Sequence, residues 1–283
     1  MKSILITILV VAFFGSPLAA HELTGTLQHI KETGKTKIGY RPSQPPMSFL
    51  NKDGKPAGFS IDICRHIANE VKIRIGSEID VEYVPVQAKD RFVAVSENKI
   101  DILCGATTKT LSRSEVVDFT QLTFVTGASF MTLKGKKIMN NFEGKKIGVV
   151  NNTTTVVALE KLFKETSTDA KIVLFNSTAK GLNALKKEKI DAFSADQVVL
   201  IGLALSIDNS DSFSILPDLF SFEPFAFAVR RNDADFRLIA DRVISHLYRT
   251  RQILKIYDKW FGQFSINRSS AFDALIRINA TPE

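Results

Sequence analysis

Beyond its first twenty residues the chain has no apolar run long enough to cross a bilayer, which takes about 20 residues. Histidine and cysteine are scarce, four and two in 283 residues, and none falls at metal-ligand spacing. No metal and no cofactor is therefore expected. There is no arginine-rich arm and no alternation of aromatic with basic residues, so the formal charge of +7 is not read as a nucleic-acid footprint. A mild, scattered basic excess is compatible with an acidic ligand. Cys64 and Cys104 could pair in an oxidising compartment. Both also fall on apolar faces, where a free thiol packs as a small hydrophobe. A bridge depends on a distance that sequence does not supply, so both readings stay open.

What the chain does have begins at its amino terminus. Lys2, the apolar run from Ile4 to Phe14, and Gly15-Ser16-Pro17-Leu18-Ala19-Ala20 describe a secretory signal peptide, with cleavage expected after Ala20. The mature chain would hold 263 residues (283 minus 20) and a charge of +6 once Lys2 is removed. It is expected to be exported, soluble and free of membrane insertion. That length suits one large domain or two smaller lobes.

The most informative stretch is residues 100–113. The apolar run from Ile100 to Cys104 reads as the end of a buried strand, broken at Gly105 into the small and hydroxyl residues Ala106, Thr107 and Thr108, with Arg113 close behind. Hydroxyls, free amides and a guanidinium at this spacing can grip a carboxylate, bidentately in the case of the arginine. An ordinary strand-to-helix loop with a solvated arginine is the plainer reading.

Similar placements recur along the chain. Residues 36–40 read as a strand with Arg41 just past its carboxyl end, and residues 81–86 as another, with Arg91 soon after. Loops at those ends are where open α/β sheets bind ligands. Ser60 can cap a helix carrying Ile61, Cys64, Ile67, Ala68 and Val71 at helical spacing, with His66 on the solvated face. Residues 144–150 form a further strand, after which Thr153 and Thr154 open a helix whose first amides make an anion site. Asp196 follows the apolar strand at residues 190–193, either as a helix cap or as the partner of a cation. Asn98-Lys99-Ile100-Asp101 and Glu188-Lys189-Ile190-Asp191 form near-copies, each after an amphipathic helix and before small polar residues. The halves look built alike, as two α/β lobes.

Gly58-Phe59-Ser60-Ile61-Asp62-Ile63, the Gly105-to-Arg113 loop with Asp118-Phe119-Thr120, Gly144-Lys145-Lys146-Ile147-Gly148-Val149, Ile190-Asp191-Ala192-Phe193 with Asp196, and the segment from Lys255 to Gly262 stand in order. Together they resemble the periplasmic polar amino-acid-binding proteins of ABC importers, over essentially residues 24–262. Tyr40-Arg41-Pro42-Ser43, and Arg113 eight residues after Gly105, look closest to the glutamate/aspartate binders. The resemblance implies an α/β two-lobed periplasmic binding protein fold (type II), its ligand cleft between lobes joined by two crossing segments. By position it implies a first lobe of residues 21–126 plus 225–262, a second of 127–224, and a tail, 263–283, docked on the surface.

The resemblance further implies that Arg113 clamps the α-carboxylate, helped by Thr108 and the Thr154 amide. Asp196 takes the α-ammonium with a group from the Ala106 loop, while Arg41 and Arg91 hold a side-chain carboxylate. Thr107 and Thr153 belong to the same candidate set. A zwitterion sealed from water needs an opposite charge at each end. The chain departs from the acidic binders at Ala88 and Ala106, where a hydroxyl is common, and at Asn152, where glycine usually precedes the threonines. Neither Thr178 nor its immediate neighbours are basic. The implied partners are a free amino acid, acidic in the leading reading, and an inner-membrane ABC permease, with the chain a monomer. The alternative is a periplasmic enzyme of the same fold, a cyclohexadienyl-type dehydratase.

Overall fold

The computed structural model describes residues 22–136, 138, 141–206, 212–262 and 268–283. The expected signal peptide lies outside the described residues, as does the start of the tail. Among the described residues no helix is long and apolar enough to cross a membrane.

Short apolar strands alternate with amphipathic helices, a pattern that builds largely parallel sheets with helices on their faces. The first sheet runs, edge to edge, Asp80–Pro85, Lys35–Tyr40, Ile102–Cys104, Glu223–Val229, Asp118–Thr126. Its first three strands are parallel, and Glu223–Val229 lies antiparallel to both neighbours. The second sheet repeats this plan with Lys171–Phe175, Lys146–Val150, Ala192–Asp196, Ala128–Leu133, Phe213–Ile215. There too the first three strands are parallel and the fourth, Ala128–Leu133, is antiparallel to both neighbours. In each sheet the fourth strand is delivered by chain arriving from the other sheet. The two crossings run close together, since a Cβ on Gly127 would overlap the carbonyl oxygen of Ser221.

The near-copies at residues 98–101 and 188–191 are equivalent down to individual atoms. Asn98 and Glu188 both take positive φ, 60° and 50°. Ile100 and Ile190 each press on a strand glycine, Gly39 and Gly148, where a Cβ would overlap the isoleucine Cδ1. Asp101 Oδ2 accepts the amide of Lys37 at 2.7 Å, and Asp191 Oδ2 accepts that of Lys146 at 2.8 Å.

The helix Phe59–Ile75 begins earlier than a Ser60 cap would allow. Gly58 starts it with φ 133°, at a point where a Cβ would overlap the Met47 carbonyl oxygen, so only glycine fits. Ser60 is thereby drawn into the first turn, and its hydroxyl donates to the carbonyl of Gly105 at 3.2 Å. One turn further on, Cys64 is disulfide-bonded to Cys104, with Cα atoms 6.5 Å apart. The helix thus holds the start of the 105–113 loop by a covalent bond and a hydrogen bond.

The tail's helix Ser270–Ile278 packs on the first lobe through Phe272 and Leu275, both buried. The Phe272 ring packs 5.2 Å from Phe124 and 4.7 Å from Tyr257, centroid to centroid, so its apolar area joins the main core. Phe124 belongs to Asp118–Thr126, the strand that leads into the first crossing.

Candidate functional site

Every candidate side chain sits just past the carboxyl end of a parallel strand. Arg41 follows Lys35–Tyr40, Arg91 comes after Asp80–Pro85, and the loop carrying Ala106, Thr107, Thr108 and Arg113 follows Ile102–Cys104. From the second sheet come Thr153 and Thr154 after Lys146–Val150, Thr178 after Lys171–Phe175, and Asp196 ending Ala192–Asp196. The two sets meet across a cleft. Arg91 Nη2 donates to the Asn152 carbonyl at 3.1 Å, the hydroxyl oxygens of Thr108 and Thr154 lie 3.3 Å apart, and Thr178 donates to the Ser43 hydroxyl at 2.9 Å. Helix Gln197–Leu205 of the second lobe presses Gly202 against Pro45 of the first, so tightly that a Cβ there would overlap the Pro45 carbonyl. This is a closed arrangement.

Charge is the cleft's dominant property. Arg41 and Arg91 are 4% and 3% exposed, yet among the described residues neither they nor Arg113 form an ion pair. Burial pulls Arg41 down to about 10. Burial, reinforced by the charges of Arg113 and Arg41, pulls Arg91 down to about 8. Burial also lowers Arg113, opposed by Glu223 and Asp196. A guanidinium keeps its charge, so one buried without a counter-ion calls for an anion. Phe92 lies beneath both, its ring centroid 4.5 Å from the Arg91 guanidinium carbon and 5.3 Å from that of Arg113. The ring lies within cation–π range of both guanidiniums. Arg113 Nη1 is held by the Thr108 carbonyl at 2.7 Å, and Arg91 Nη1 by the Ala88 carbonyl. Arg91 Nε is buried without a partner among the described residues.

Asp196 starts the helix Gln197–Leu205, but its side chain makes no capping bond. Its Oδ1 is buried without a partner among the described residues. Burial first, then the charge of Glu223, push its carboxyl up to about 8, against Arg113 and Arg91. Such a carboxylate is completed by a cation.

Glu223, at the start of the returning crossing, is the residue that sequence reasoning left outside the site. It is 2% exposed, and its Oε2 accepts the hydroxyls of Thr108 at 2.5 Å and Thr154 at 2.7 Å. In sequence Glu223 reads as a hinge residue of an extended apolar crossing, and its contacts with Thr108 and Thr154 appear only in the fold. The other candidates are placed as follows. Thr153 donates to the Val150 carbonyl at 2.7 Å, Thr107 Oγ1 is buried and unpartnered among the described residues, and Ala106 is half-buried against the core. Asn152 takes φ 58°, the left-handed turn that asparagine tolerates where glycine is usual. Among the described residues no group of three or more metal-ligating side chains gathers.

Two lobes of like topology closing on a charged cleft define a solute-binding protein. The chain belongs to the bacterial extracellular solute-binding proteins, family 3, whose model matches residues 36–263. It is 33% identical over 269 residues to an L-glutamate/L-aspartate-binding protein of Pseudomonas aeruginosa, covering 92% of this chain and 88% of that one. It is 27% identical over 246 residues to a glutamate/aspartate import solute-binding protein of Escherichia coli, covering 86% and 82%. Among solved structures, an ancestral arginine-binding protein bound to glutamine aligns with a TM-score of 0.73 at 26% identity, over 81% of this chain and 98% of that one. These relatives are named as solute-binding proteins and not as enzymes, which sets aside the dehydratase alternative.

Proposed function

We propose that this protein captures an acidic amino acid of the glutamate/aspartate kind in the periplasm and presents it, closed, to an inner-membrane ABC permease. The observation that carries the reading is the charge balance of the buried cleft. Once an ammonium is present to hold Asp196 ionised, Arg41, Arg91 and Arg113 supply three positive charges, and Asp196 and Glu223 two negative ones. The remainder, one positive charge, is matched by an amino acid with two carboxylates and one ammonium. A neutral amino acid would leave a buried guanidinium unanswered, at a cost of several kcal/mol. The names of the relatives support the same ligand class.

In this pose Arg113 clamps the α-carboxylate with the Thr154 amide, Asp196 takes the α-ammonium, and Arg41 and Arg91 hold the side-chain carboxylate. Because the ligand bridges both lobes, it favours the closed state by its differential affinity, and the permease reads that shape. The protein acts as a monomer after its signal peptide is removed.

A thermal-shift panel of free amino acids, on protein unfolded and refolded to strip carried-over ligand, tests the reading. Ligand at a thousand times its dissociation constant stabilises by about 4 kcal/mol. L-glutamate or L-aspartate should give the largest shift. A larger shift from neutral or basic amino acids, or none from any acidic one, overturns it.

A further inference from the structure

We propose that Glu223 is a positioning residue that sets the polarity of the cleft's hydroxyls, so that Thr108 and Thr154 offer lone pairs to the ligand and the site selects an α-ammonium over an uncharged α-carbon. The inference rests on the amino-acid reading above and adds to it the choice between amino acids and simple dicarboxylates.

A carboxylate has only lone pairs to give, and each threonine hydroxyl has one proton. Thr108 and Thr154 both point their oxygens at Glu223 Oε2, so both protons are committed to it. Toward anything else in the cleft the two hydroxyls act as acceptors. They cannot help to bind a carboxylate, which needs donors, but they suit the N–H groups of an ammonium. The Thr108 hydroxyl therefore belongs to the ammonium, and any help that Thr108 gives the α-carboxylate comes from its amide alone.

The arrangement is held rigidly. Ser221 Oγ donates to Glu223 Oε1 at 2.7 Å, which fixes the carboxylate's other end. The Thr108 backbone is tied to the same crossing strand, with the Lys109 amide on the Pro224 carbonyl at 2.8 Å and the Ala226 amide on the Thr107 carbonyl at 3.0 Å. Burial first and the charge of Glu223 second raise the Asp196 carboxyl, and a cation beside it answers both. Removing the acceptor at 223 reverses this logic. A glutamine could still accept both hydroxyls through its oxygen, with its NH2 turned to Ser221 Oγ, whereas a leucine at 223 offers no acceptor and frees both threonine protons to turn toward the ligand.

The test compares L-glutamate with glutarate, its analogue without the ammonium, by calorimetry or competition on wild type, Glu223→Leu and Thr108→Val. The wild type should prefer L-glutamate strongly. Each variant should narrow that preference about tenfold or more, the worth of one charge-assisted hydrogen bond. The narrowing should come mainly from weaker L-glutamate binding. The isosteric Thr108→Val reads the same contact should Glu223→Leu fail to fold. A wild type that binds no L-amino acid overturns the amino-acid reading itself. A wild type that binds L-glutamate while both ligands weaken equally in the variants, or while the preference stays put, overturns the role of Glu223 alone.

Discussion

Arg91 Nη2 donates to the carbonyl oxygen of Asn152, 61 residues away and across the cleft, at 3.1 Å. The left-handed turn at Asn152, φ 58°, belongs to the same loop, between the strand Lys146–Val150 and the helix Thr154–Glu165. Arg91 is thus both a cation of the site and a strut of its closed form.

The three arginines should separate on substitution. Arg113→Ala should remove binding of every amino acid, whereas Arg41→Ala should mainly remove those with acidic side chains. Truncating one side of a buried charge pair costs about 2–5 kcal/mol. Arg91→Lys keeps the charge but loses the planar fork, so it should weaken acidic ligands and also slow or destabilise closure. Calorimetry over a ligand panel reads all three. Small, equal effects of Arg113→Ala and Arg41→Ala would sink the pose.

Gly202→Ala offers a test of closure without touching the ligand. A methyl in the helix Gln197–Leu205 should stabilise the open protein by up to about 1 kcal/mol through helix propensity. The same methyl overlaps the Pro45 carbonyl when the lobes meet. The variant should melt no lower than wild type without ligand, bind L-glutamate at least tenfold more weakly, and fail to contract in small-angle scattering when ligand is added. Normal contraction would show that the Gly202–Pro45 contact does not govern closure.

Asp196 makes stability depend on pH in a defined direction. Its carboxyl, raised to about 8 in the folded protein, keeps a proton that the unfolded chain releases near 4. Between those values the folded state binds more protons than the unfolded, so stability falls as pH rises. Without ligand, Asp196→Asn should melt like wild type at pH 4 and above it at pH 8. Saturating L-glutamate should reverse the order at pH 8, because only the carboxylate pairs with the ammonium. Parallel melting curves for the two proteins from pH 4 to 8 would contradict this.

The Cys64–Cys104 bond closes a 40-residue separation. In the chain-entropy view a loop of that size is worth about 4 kcal/mol. Reduction, or paired substitution by serine, should lower the melting temperature by on the order of 10 °C. It should also weaken ligand binding, since Cys104 immediately precedes the loop that carries Thr108 and Arg113. An unchanged melting temperature under reductant would argue that the bond adds no stability.

Much of the fold and part of the site were legible in the residues. Arg41 follows an apolar strand directly and Asp196 ends another, while Arg91 and Arg113 sit in the loops and short helices that follow theirs, so all four could be placed at the carboxyl edge of a sheet. The alikeness of the two halves was visible in seven or eight residues, since Asp101 and Asp191 perform one local task, accepting an amide from the neighbouring strand. What sequence hid depends on contacts distant along the chain. Glu223 reaches Thr108 over 115 residues. Thr178 is satisfied by Ser43 rather than left open to a ligand. Ser60 was read as a cap because its residue type suits one, but the φ of Gly58 starts the helix first. The disulfide turned on a distance that only the docking of Phe59–Ile75 against Ile102–Cys104 provides.

The exchange of fourth strands also orders the birth of the molecule. All strands of the second sheet lie within residues 128–215, so that sheet can assemble as soon as this stretch is made. The first sheet cannot. Its strands Ile102–Cys104 and Asp118–Thr126 are joined only by Glu223–Val229, which a chain growing from its amino end supplies more than ninety residues later. Until then the earlier-made lobe exposes two unpaired strand edges, the kind of surface that chaperones shield. The half of the protein that is synthesised first is the half that is finished last.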